Sequence, residues 1–195
     1  MMRGKLIVLA APSGSGKTTI AKIILQRYPA MTFSVSATTR KQRRGETHGK
    51  DYFFLTVPEF ERKLKGGELA EWEQYPSEAH GNYYGTLKSE VDRALNEGNV
   101  MLFDVDVKGA LSIKRLYGDE AVLIFIKPPN LEELRQRLLH RKTEDEATVH
   151  SRLDRVPMEM ELGTTFDYQV VNDRLEKAVA EIESILKKHT NLSTT

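Results

Sequence analysis

Cysteine is absent from the 195-residue sequence, and the formal net charge is only +1. Without cysteine, disulfides, thiolate metal sites and a cysteine nucleophile are excluded, and the chain suits a reducing compartment. We therefore expect a cytoplasmic protein. Because the net charge is close to zero, no overall field draws the chain to nucleic acid or to an acidic membrane, and any bound anion must be held by local charge.

Long apolar runs are missing as well. The first run, Leu6–Ala11, ends at Pro12 and is too short for a membrane span or for the core of a signal peptide. With 39% hydrophobic and 29% charged residues, the composition is typical of a globular unit. We expect one domain over residues 1–195, present as a monomer or a homodimer, with no membrane and no nucleic-acid partner.

Predicted strands and helices alternate along the chain. Strands are predicted at Leu6–Ala11, Phe33–Ala37, Asn99–Val105, Ala121–Ile126 and Tyr168–Val171, where apolar residues run continuously or alternate with polar ones. Helices are predicted at Thr19–Tyr28, Pro58–Lys65, from Leu87 to Gly98, and at Leu131–Arg141 and Leu175–Lys188. Thr86 and Asn130 are the predicted N-caps of the third and the fourth helix.

This alternation predicts an α/β protein of three layers with a central, mostly parallel sheet. Residues 1–35, 91–136 and 161–195 would form this core. The short aromatic-rich runs YFFL, ELAEW and NYYG instead predict a small mixed α+β subdomain, inserted at residues 36–90. Residues 137–160 are predicted to form a charged helical hairpin.

The stretch APSGSGKTT, Ala11–Thr19, lies between the first predicted strand and the first predicted helix. It follows the phosphate-loop pattern G-x-x-x-x-G-K-[ST], with Ala11 as the one departure. Such a loop surrounds a phosphate with backbone N–H groups at a helix N-terminus, and its lysine and hydroxyl serve phosphate and Mg²⁺. The motif predicts that the chain binds a nucleoside triphosphate; a plain glycine-rich turn is the alternative.

A second cationic segment suits another anionic substrate. Residues 36–46, SATTRKQRRGE, place four cations within five positions, at Arg40, Lys41, Arg43 and Arg44. Arginine forks fit a phosphate monoester well. A solvated basic loop and a nucleic-acid patch are alternatives, but the balanced net charge and the lack of another basic run of this density favour a small ligand.

Five motifs, in this order, carry a resemblance to a known family. APSGSGKTT, SVSATTRKQRRGETHGKDYFF, EWEQY with GNYYGTLK, LFDVDVKG and VVND are similar to those of the guanylate kinases, and the resemblance runs from Leu6 to Ile185. It implies a phosphate-loop kinase that transfers the γ-phosphoryl group of MgATP to GMP and to dGMP. Residues 36–90 would be the GMP-binding subdomain and residues 137–160 a lid. Pro76–His80 exceeds the usual family length, and we expect this extension to face solvent.

The resemblance also assigns residues to ATP, to the metal and to catalysis. The implied ATP-binding residues are Ser13, Gly14, Ser15, Gly16, Lys17, Thr18, Thr19, Arg137 and Asn172. The implied cofactor, Mg²⁺, would lie near Thr18 and Asp104. The implied catalytic residues are Lys17, Arg40, Arg141 and Arg152, which would neutralise the transferring phosphoryl group or hold its acceptor in line.

For GMP, the resemblance implies that Arg40, Arg43, Tyr52 and Tyr84 hold the phosphate and that Ser36, Glu71, Thr86 and Asp106 contact the base. Guanine presents N–H donors at N1 and N2, so a carboxylate favours it over adenine, whose N1 carries no proton. Without the neighbouring motifs, Glu71 would be interpreted as a solvated strand residue and Asp106 as a helix cap. Arg155 matches no family site residue and is expected on a solvated helix face.

Two other functions stay open on the sequence alone. Guanylate-kinase-like modules that bind peptides keep the fold and lose the phosphate loop, whereas Gly14, Gly16, Lys17 and Thr18 are intact here. The other candidate is a phosphate-loop kinase for a different small phosphorylated acceptor. Glu71, as a reader of the base, disfavours that function.

Overall fold

The computed structural model describes residues 3–75, 81–139 and 146–194, and of residues 146–151 the backbone only. Arg141 and Pro76–His80 lie outside the described residues. The strands are β1 (Lys5–Ala10), β2 (Thr32–Phe33), β3 (Ala37–Thr38), β4 (Phe53–Phe54), β5 (Leu69–Tyr75), β6 (Asn82–Leu87), β7 (Val100–Asp104), β8 (Ala121–Lys127) and β9 (Tyr168–Val171). The helices are α1 (Lys17–Arg27), α2 (Val57–Lys65), α3 (Lys88–Asn96), α4 (Val107–Tyr117), α5 (Leu131–Leu139), α6 (Glu146–Gly163) and α7 (Leu175–His189).

The central sheet has the strand order β2-β7-β1-β8-β9, and all its neighbouring strands are parallel. Because side chains alternate along a strand, β1 buries residues on both faces. Ile7 and Leu9 pack with α1 and α7, and Leu6 and Val8 pack with α3 and α4. The predicted three-layer α/β fold with a parallel core is confirmed.

A second sheet, with the strand order β4-β3-β6-β5, combines one parallel and two antiparallel pairings. Its core forms around Phe60 of α2, which stacks on Tyr83 at a ring-centroid distance of 5.2 Å. Thr56 begins α2 with a capping box, because its side chain accepts from the N–H of Glu59 and the Glu59 carboxylate accepts from the N–H of Thr56.

The single strand predicted at Phe33–Ala37 is wrong, because this segment passes from one sheet to the other. The N–H of Ser34 donates to Leu102 of the central sheet at 2.9 Å. The carbonyl of Ser36 accepts from Phe53 of the small sheet at 2.9 Å. Alternating hydrophobicity indicates an extended chain and does not reveal which partner strand each residue pairs with.

The predicted N-cap at Thr86 is also wrong. Thr86 lies within β6, α3 begins at Lys88, and the capping position falls on Leu87 without a side-chain cap. The predicted cap at Asn130 is confirmed, because its side-chain oxygen accepts from the N–H of Glu133 at 2.8 Å. Among the described residues, no helix has the length and apolar character needed to cross a bilayer.

Candidate active site

The phosphate loop connects the end of β1 to the start of α1. Gly14 has φ 90° and Gly16 has φ 86°, a backbone conformation that residues with a Cβ rarely adopt. A Cβ at Gly16 would also come within 2.5 Å of the Asn172 amide nitrogen. Ala11, which replaces the first motif glycine, is buried in the core beside α1. The loop therefore keeps its two essential glycines and its helix N-terminus.

Lys17 and Thr18 both contact Asp104, at the end of β7. The sheet register sets Asp104 beside Leu9 of β1, just before the phosphate loop. The Lys17 ammonium lies 2.8 Å from one Asp104 oxygen, and the Thr18 hydroxyl donates to the other at 2.9 Å. Lys17 also donates to the Val105 carbonyl. The predicted metal pair, Thr18 and Asp104, thus offers a hydroxyl and a carboxylate oxygen at one point.

A cavity of about 350 Å³ opens beside this loop and is lined by Gly14, Gly16, Thr19, Arg137, Asn172, Asp173 and Leu175. Asn172 is buried, and its side-chain amide donates to the Ser15 carbonyl at 2.8 Å. Arg137 donates to the Asn172 carbonyl at 3.3 Å and pairs with Glu133. Asn172 and Arg137 are thus brought to the phosphate loop, and Asn172 supports the loop backbone directly.

Among the predicted phosphate-binding residues, Arg40, Tyr52 and Tyr84 meet in one cluster. The Arg40 guanidinium lies 5.2 Å from the centre of the Tyr52 ring, which lies 6.0 Å from the Tyr84 ring. Glu46 holds Arg40 in a fork, with Nη2 to Oε1 at 2.7 Å and Nη1 to Oε2 at 3.1 Å. Hydrogen bonding to Glu46 raises the pKa of Arg40, which keeps it cationic.

Arg43 and Ser36 are two further residues predicted to bind GMP. Arg43 is exposed, and its backbone N–H donates to the Glu46 carboxylate at 2.7 Å. Ser36 is partly exposed and immediately precedes β3. Glu46 itself was missed by sequence reasoning, although a carboxylate six residues after an arginine in a tight loop is a possible signal of such a fork.

Glu71, on β5, is only partly exposed, and its carboxylate is hydrogen-bonded within the protein, so the interpretation of Glu71 as a solvated strand residue does not fit. The Thr86 hydroxyl donates to Glu71 Oε1 at 2.6 Å. Burial raises the pKa of Glu71 to about 7, against the effect of the Thr86 hydrogen bond; Asp106 adds to the rise and Lys17 opposes it. Glu71 therefore titrates near neutrality, as buried functional carboxyl groups often do.

Asp106 meets Glu71 at Gly109, in the first turn of α4. Asp106 caps this helix, because its Oδ1 accepts from the Gly109 N–H at 2.6 Å. A Cβ placed on Gly109 would lie 2.9 Å from Asp106 Oδ1 and 3.1 Å from Glu71 Oε2. The capping alternative for Asp106 is thus correct, and the same residue also stands beside Glu71. Sequence reasoning missed Gly109, whose lack of a side chain allows this approach.

The carboxylate cluster also includes Glu73 and Glu159, which sequence reasoning did not identify. Glu73 lies two residues from Glu71 on β5 and accepts from Arg155 of α6 at 3.0 Å. Burial raises the pKa of Glu159, also on α6, to about 7, and the Asp106 charge adds to the effect. Arg155 is exposed, as expected, and it also bridges α6 to β5 through its bond to Glu73. Period-two spacing on β5 was the available signal for Glu73.

Arg152 lies on the same helix and reaches the phosphate loop, where its Nη1 donates to the Ser13 hydroxyl oxygen at 2.7 Å. The prediction for Arg141 falls outside the described residues. The arrangement therefore places a cationic loop suited to polyphosphate on one side and an arginine–tyrosine cluster on the other. The partly exposed carboxylates of Glu71 and Asp106 lie close enough to Lys17 for its positive charge to oppose the rise in their pKa.

Comparison with known proteins agrees with this geometry. The family model described as guanylate kinase matches residues 3–189. A guanylate kinase from Chlorobium chlorochromatii is 48% identical over 183 residues, covering 94% of this chain and 94% of the relative. One from Salinibacter ruber is 50% identical over 177 residues, covering 90% and 92%. The crystal structure of guanylate kinase from Anaplasma phagocytophilum matches with a TM-score of 0.72 and 31% identity, covering 98% of this chain and 88% of that one.

Proposed function

This chain belongs to the guanylate kinase family, and on that premise we propose how its residues divide the work of the reaction. The activity is the ATP-dependent phosphorylation of GMP, which gives ADP and GDP. The single observation that carries the assignment of the GMP site is the Glu71 carboxylate, which accepts from the Thr86 hydroxyl and whose pKa is affected by Lys17 of the phosphate loop.

Glu71 would select the base. An ionised Glu71 accepts the N1–H and N2–H donors of guanine, while the Thr86 hydroxyl fixes its orientation. Adenine would place an unprotonated N1 against this carboxylate, and burial makes such a mismatch costly. Asp106 and Ser36 would complete the recognition of the base from α4 and from the start of β3.

The phosphate of GMP would be held by Arg40, Arg43, Tyr52 and Tyr84. The cluster of Arg40 with the two tyrosine rings supports this role, because forked donors and phenolic hydroxyls together satisfy a dianion. Glu46 fixes the Arg40 fork in advance. The acceptor oxygen is thereby positioned before the transfer, which lowers the entropic part of the barrier.

The triphosphate would lie on the loop formed by Ser13, Gly14, Ser15, Gly16, Lys17, Thr18 and Thr19, with the base in the cavity beside Arg137 and Asn172. Lys17 and Arg152 would neutralise the γ-phosphoryl oxygens during an in-line transfer, together with Arg141. Support comes from the Arg152–Ser13 contact, which brings that guanidinium to the loop. The transfer needs no covalent enzyme intermediate, and catalysis is by position and charge.

The donor set at the loop fits Mg²⁺. Thr18 and Asp104 offer hard oxygen ligands 2.9 Å apart, and the described residues contain no cluster of three or more acidic, histidine or cysteine side chains suited to a metal ion. Kinase Mg²⁺ is held by one or two protein oxygens together with substrate phosphates. When bound, the metal would supply positive charge to the phosphate oxygens; Thr18 and Asp104 would hold it, directly or through water.

We extend the proposal in four respects. The reaction would serve purine nucleotide metabolism in the cytoplasm, which the lack of cysteine supports. dGMP would be a second acceptor. The protein would act as a monomer or homodimer, without nucleic acid. Residues 36–90 would form the GMP-binding subdomain and residues 137–160 the lid. A peptide-binding role is disfavoured because the phosphate loop and Lys17 are intact.

The test is identification of the products. Purified protein would be incubated with ATP, MgCl₂ and GMP, and the phosphorus NMR spectrum would be recorded over time. We expect the γ-phosphorus signal of ATP to decline as the β-phosphorus signals of ADP and GDP grow together. Release of inorganic phosphate without GDP would indicate an ATPase and would refute the proposal.

A further inference from the structure

Asn172 is a buried polar residue that immediately follows β9, and it is anchored on two sides. Only 7% of the residue is exposed. Its backbone N–H donates to the carbonyl of Lys127, the last residue of β8, at 2.8 Å. Its side-chain amide donates to the Ser15 carbonyl of the phosphate loop at 2.8 Å. Asn172 therefore connects the end of the central sheet to the loop through two hydrogen bonds.

The bond to the Ser15 carbonyl also sets the direction of the Gly16 N–H. The two groups belong to one planar trans peptide unit, in which C=O and N–H point in opposite directions. Because Asn172 holds the carbonyl, the Gly16 N–H is directed away from Asn172. Gly16 is the N-cap of α1, so this N–H lies among the N-terminal donors of a helix, which have no partner within the helix and suit a phosphate.

The loop is packed closely enough to keep this arrangement. A Cβ on Gly16, which has φ 86°, would lie 2.5 Å from the Asn172 amide nitrogen. A Cβ on Gly14 would lie 3.1 Å from Leu138 and 3.2 Å from Leu134, two fully buried side chains of α5. The leucines limit where the loop can lie, while the Asn172 amide fixes the direction of one peptide unit.

Resting on the proposed function, we propose that Asn172 is a positioning residue of the phosphate loop: its side-chain amide directs the Gly16 N–H toward the phosphates of ATP. The effect of this side chain on ATP is then exerted on the phosphates, whichever base the nucleotide carries. Arg137, beside the cavity for the base, is held by the backbone carbonyl of Asn172 at 3.3 Å. A change of the Asn172 side chain leaves that carbonyl in the chain, so the two roles can be separated.

The test uses inorganic tripolyphosphate, which has the phosphates of ATP and no base. Its Kd would be measured by calorimetry on the full chain, with MgCl₂ and with GMP to occupy the arginine–tyrosine cluster. KM for ATP, kcat and melting temperature would be measured in parallel. Kd for GMP would come from the fluorescence of Trp72, the one tryptophan in the sequence, which adjoins Glu71.

The variants are Asn172→Ala, which lacks the donor, and Asn172→Asp, which keeps the shape of the side chain without the donor. Asn191→Asp is the matched control, because it makes the same chemical change at an exposed residue beyond α7.

We expect Asn172→Ala to weaken tripolyphosphate binding by about ten- to a hundredfold, because the Ser15 carbonyl loses its donor and the peptide unit is free to turn. KM for ATP should rise by a similar factor. Asn172→Asp should bind still more weakly, since its carboxylate repels both the Ser15 carbonyl and the phosphates. Kd for GMP should stay within about twofold of the control, because distant sites without shared partners behave independently.

The inference is overturned if Asn172→Ala binds tripolyphosphate like Asn191→Asp. A higher KM for ATP with normal tripolyphosphate affinity would also overturn it, since Asn172 would then act on the adenine base. So would an equal loss of GMP and tripolyphosphate affinity with a lower melting temperature, which would indicate a role in folding alone. The proposed function is judged separately, by whether wild type forms GDP, because tripolyphosphate binding requires no transfer.

Discussion

The Thr86 hydroxyl donates to the Glu71 carboxylate at 2.6 Å, across neighbouring strands of the small sheet. This contact holds a largely shielded acid in one orientation beside Gly109 of α4. A carboxylate shielded from water destabilises the protein unless hydrogen-bond donors meet it. The same unmet need for donors can select a substrate that supplies them. The N–H donors of guanine fit that requirement.

Glu71→Gln is expected to stabilise the protein without substrates at pH 8. A pKa raised to about 7 means that the folded state binds this proton more tightly than the unfolded chain. The contribution of Glu71 to the free energy of unfolding therefore falls as pH rises from the ordinary glutamate range to about 7, and stays low above it. Removing the charge should add about 1 to 3 kcal/mol. Calorimetry at pH 8 would measure it.

The gain should shrink as the pH is lowered to 5, where Glu71 is protonated in the folded protein. Glu181→Gln is the matched control, since Glu181 is exposed on α7 and should change the melting temperature little at either pH. A lower melting temperature for Glu71→Gln at pH 8 would contradict the assignment of Glu71 as a buried acid.

GMP affinity is expected to increase as pH rises from 6 to 8 (about one unit on each side of the Glu71 pKa). Below this window Glu71 is protonated and loses the charge that attracts the guanine N–H donors. The GMP phosphate also titrates near pH ~6, and Asp106, Glu73 and Glu159 lie close by. The pH dependence of GMP affinity would therefore be measured for wild type and for Glu71→Gln, and the part due to Glu71 should be missing in the variant. Identical profiles would count against this role.

Gly109→Ala is expected to impair GMP use while leaving the fold intact. The new Cβ would lie 2.9 Å from Asp106 Oδ1 and 3.1 Å from Glu71 Oε2, so both carboxylates must move. Alanine is a better helix former than glycine, so the melting temperature should hold or rise. We expect kcat/KM for GMP to fall by about ten- to a hundredfold, with KM for ATP unchanged. Ser112→Ala, on the same helix, serves as the control.

Lys17→Met is expected to abolish turnover and to leave GMP binding largely intact. Lys17 lies on the phosphate loop and pairs with Asp104, so its loss removes charge from the ATP side. A decrease in kcat of about a hundred- to a thousandfold is expected from loss of one such group. Trp72 fluorescence at pH 8 would show whether GMP still binds. Normal turnover would mean that the loop assignment is wrong.

Much of the core could be predicted from the sequence because its signals are local. Continuous apolar runs gave the parallel strands, and Gly14, Gly16 and Lys17 mark the phosphate loop within nine residues. The side-chain oxygen of Asn130 caps α5 as expected from its position alone. Such features depend on neighbours in the chain, which a single sequence records.

The errors and omissions depend on contacts distant in sequence. In the sequence Thr86 stands where a helix cap is expected. In the structure its hydroxyl donates instead to Glu71, fifteen residues earlier. Arg155 is exposed as expected, but its bond to Glu73, 82 residues earlier, cannot be seen in the sequence. Gly109 has no local signal at all, since its role is to let two carboxylates approach. Each of these contacts is set by tertiary packing, which local sequence propensity does not predict.

The most direct test of the account is a comparison of acceptors. ADP formation would be coupled to NADH oxidation with GMP, dGMP, AMP, CMP or UMP as acceptor, for wild type and for Glu71→Gln. The account predicts that wild type uses GMP and dGMP far better than the other three, and that Glu71→Gln lowers the ratio of kcat/KM for GMP to that for AMP by at least about tenfold. A wild-type preference for another acceptor, or an unchanged ratio in Glu71→Gln, would contradict it.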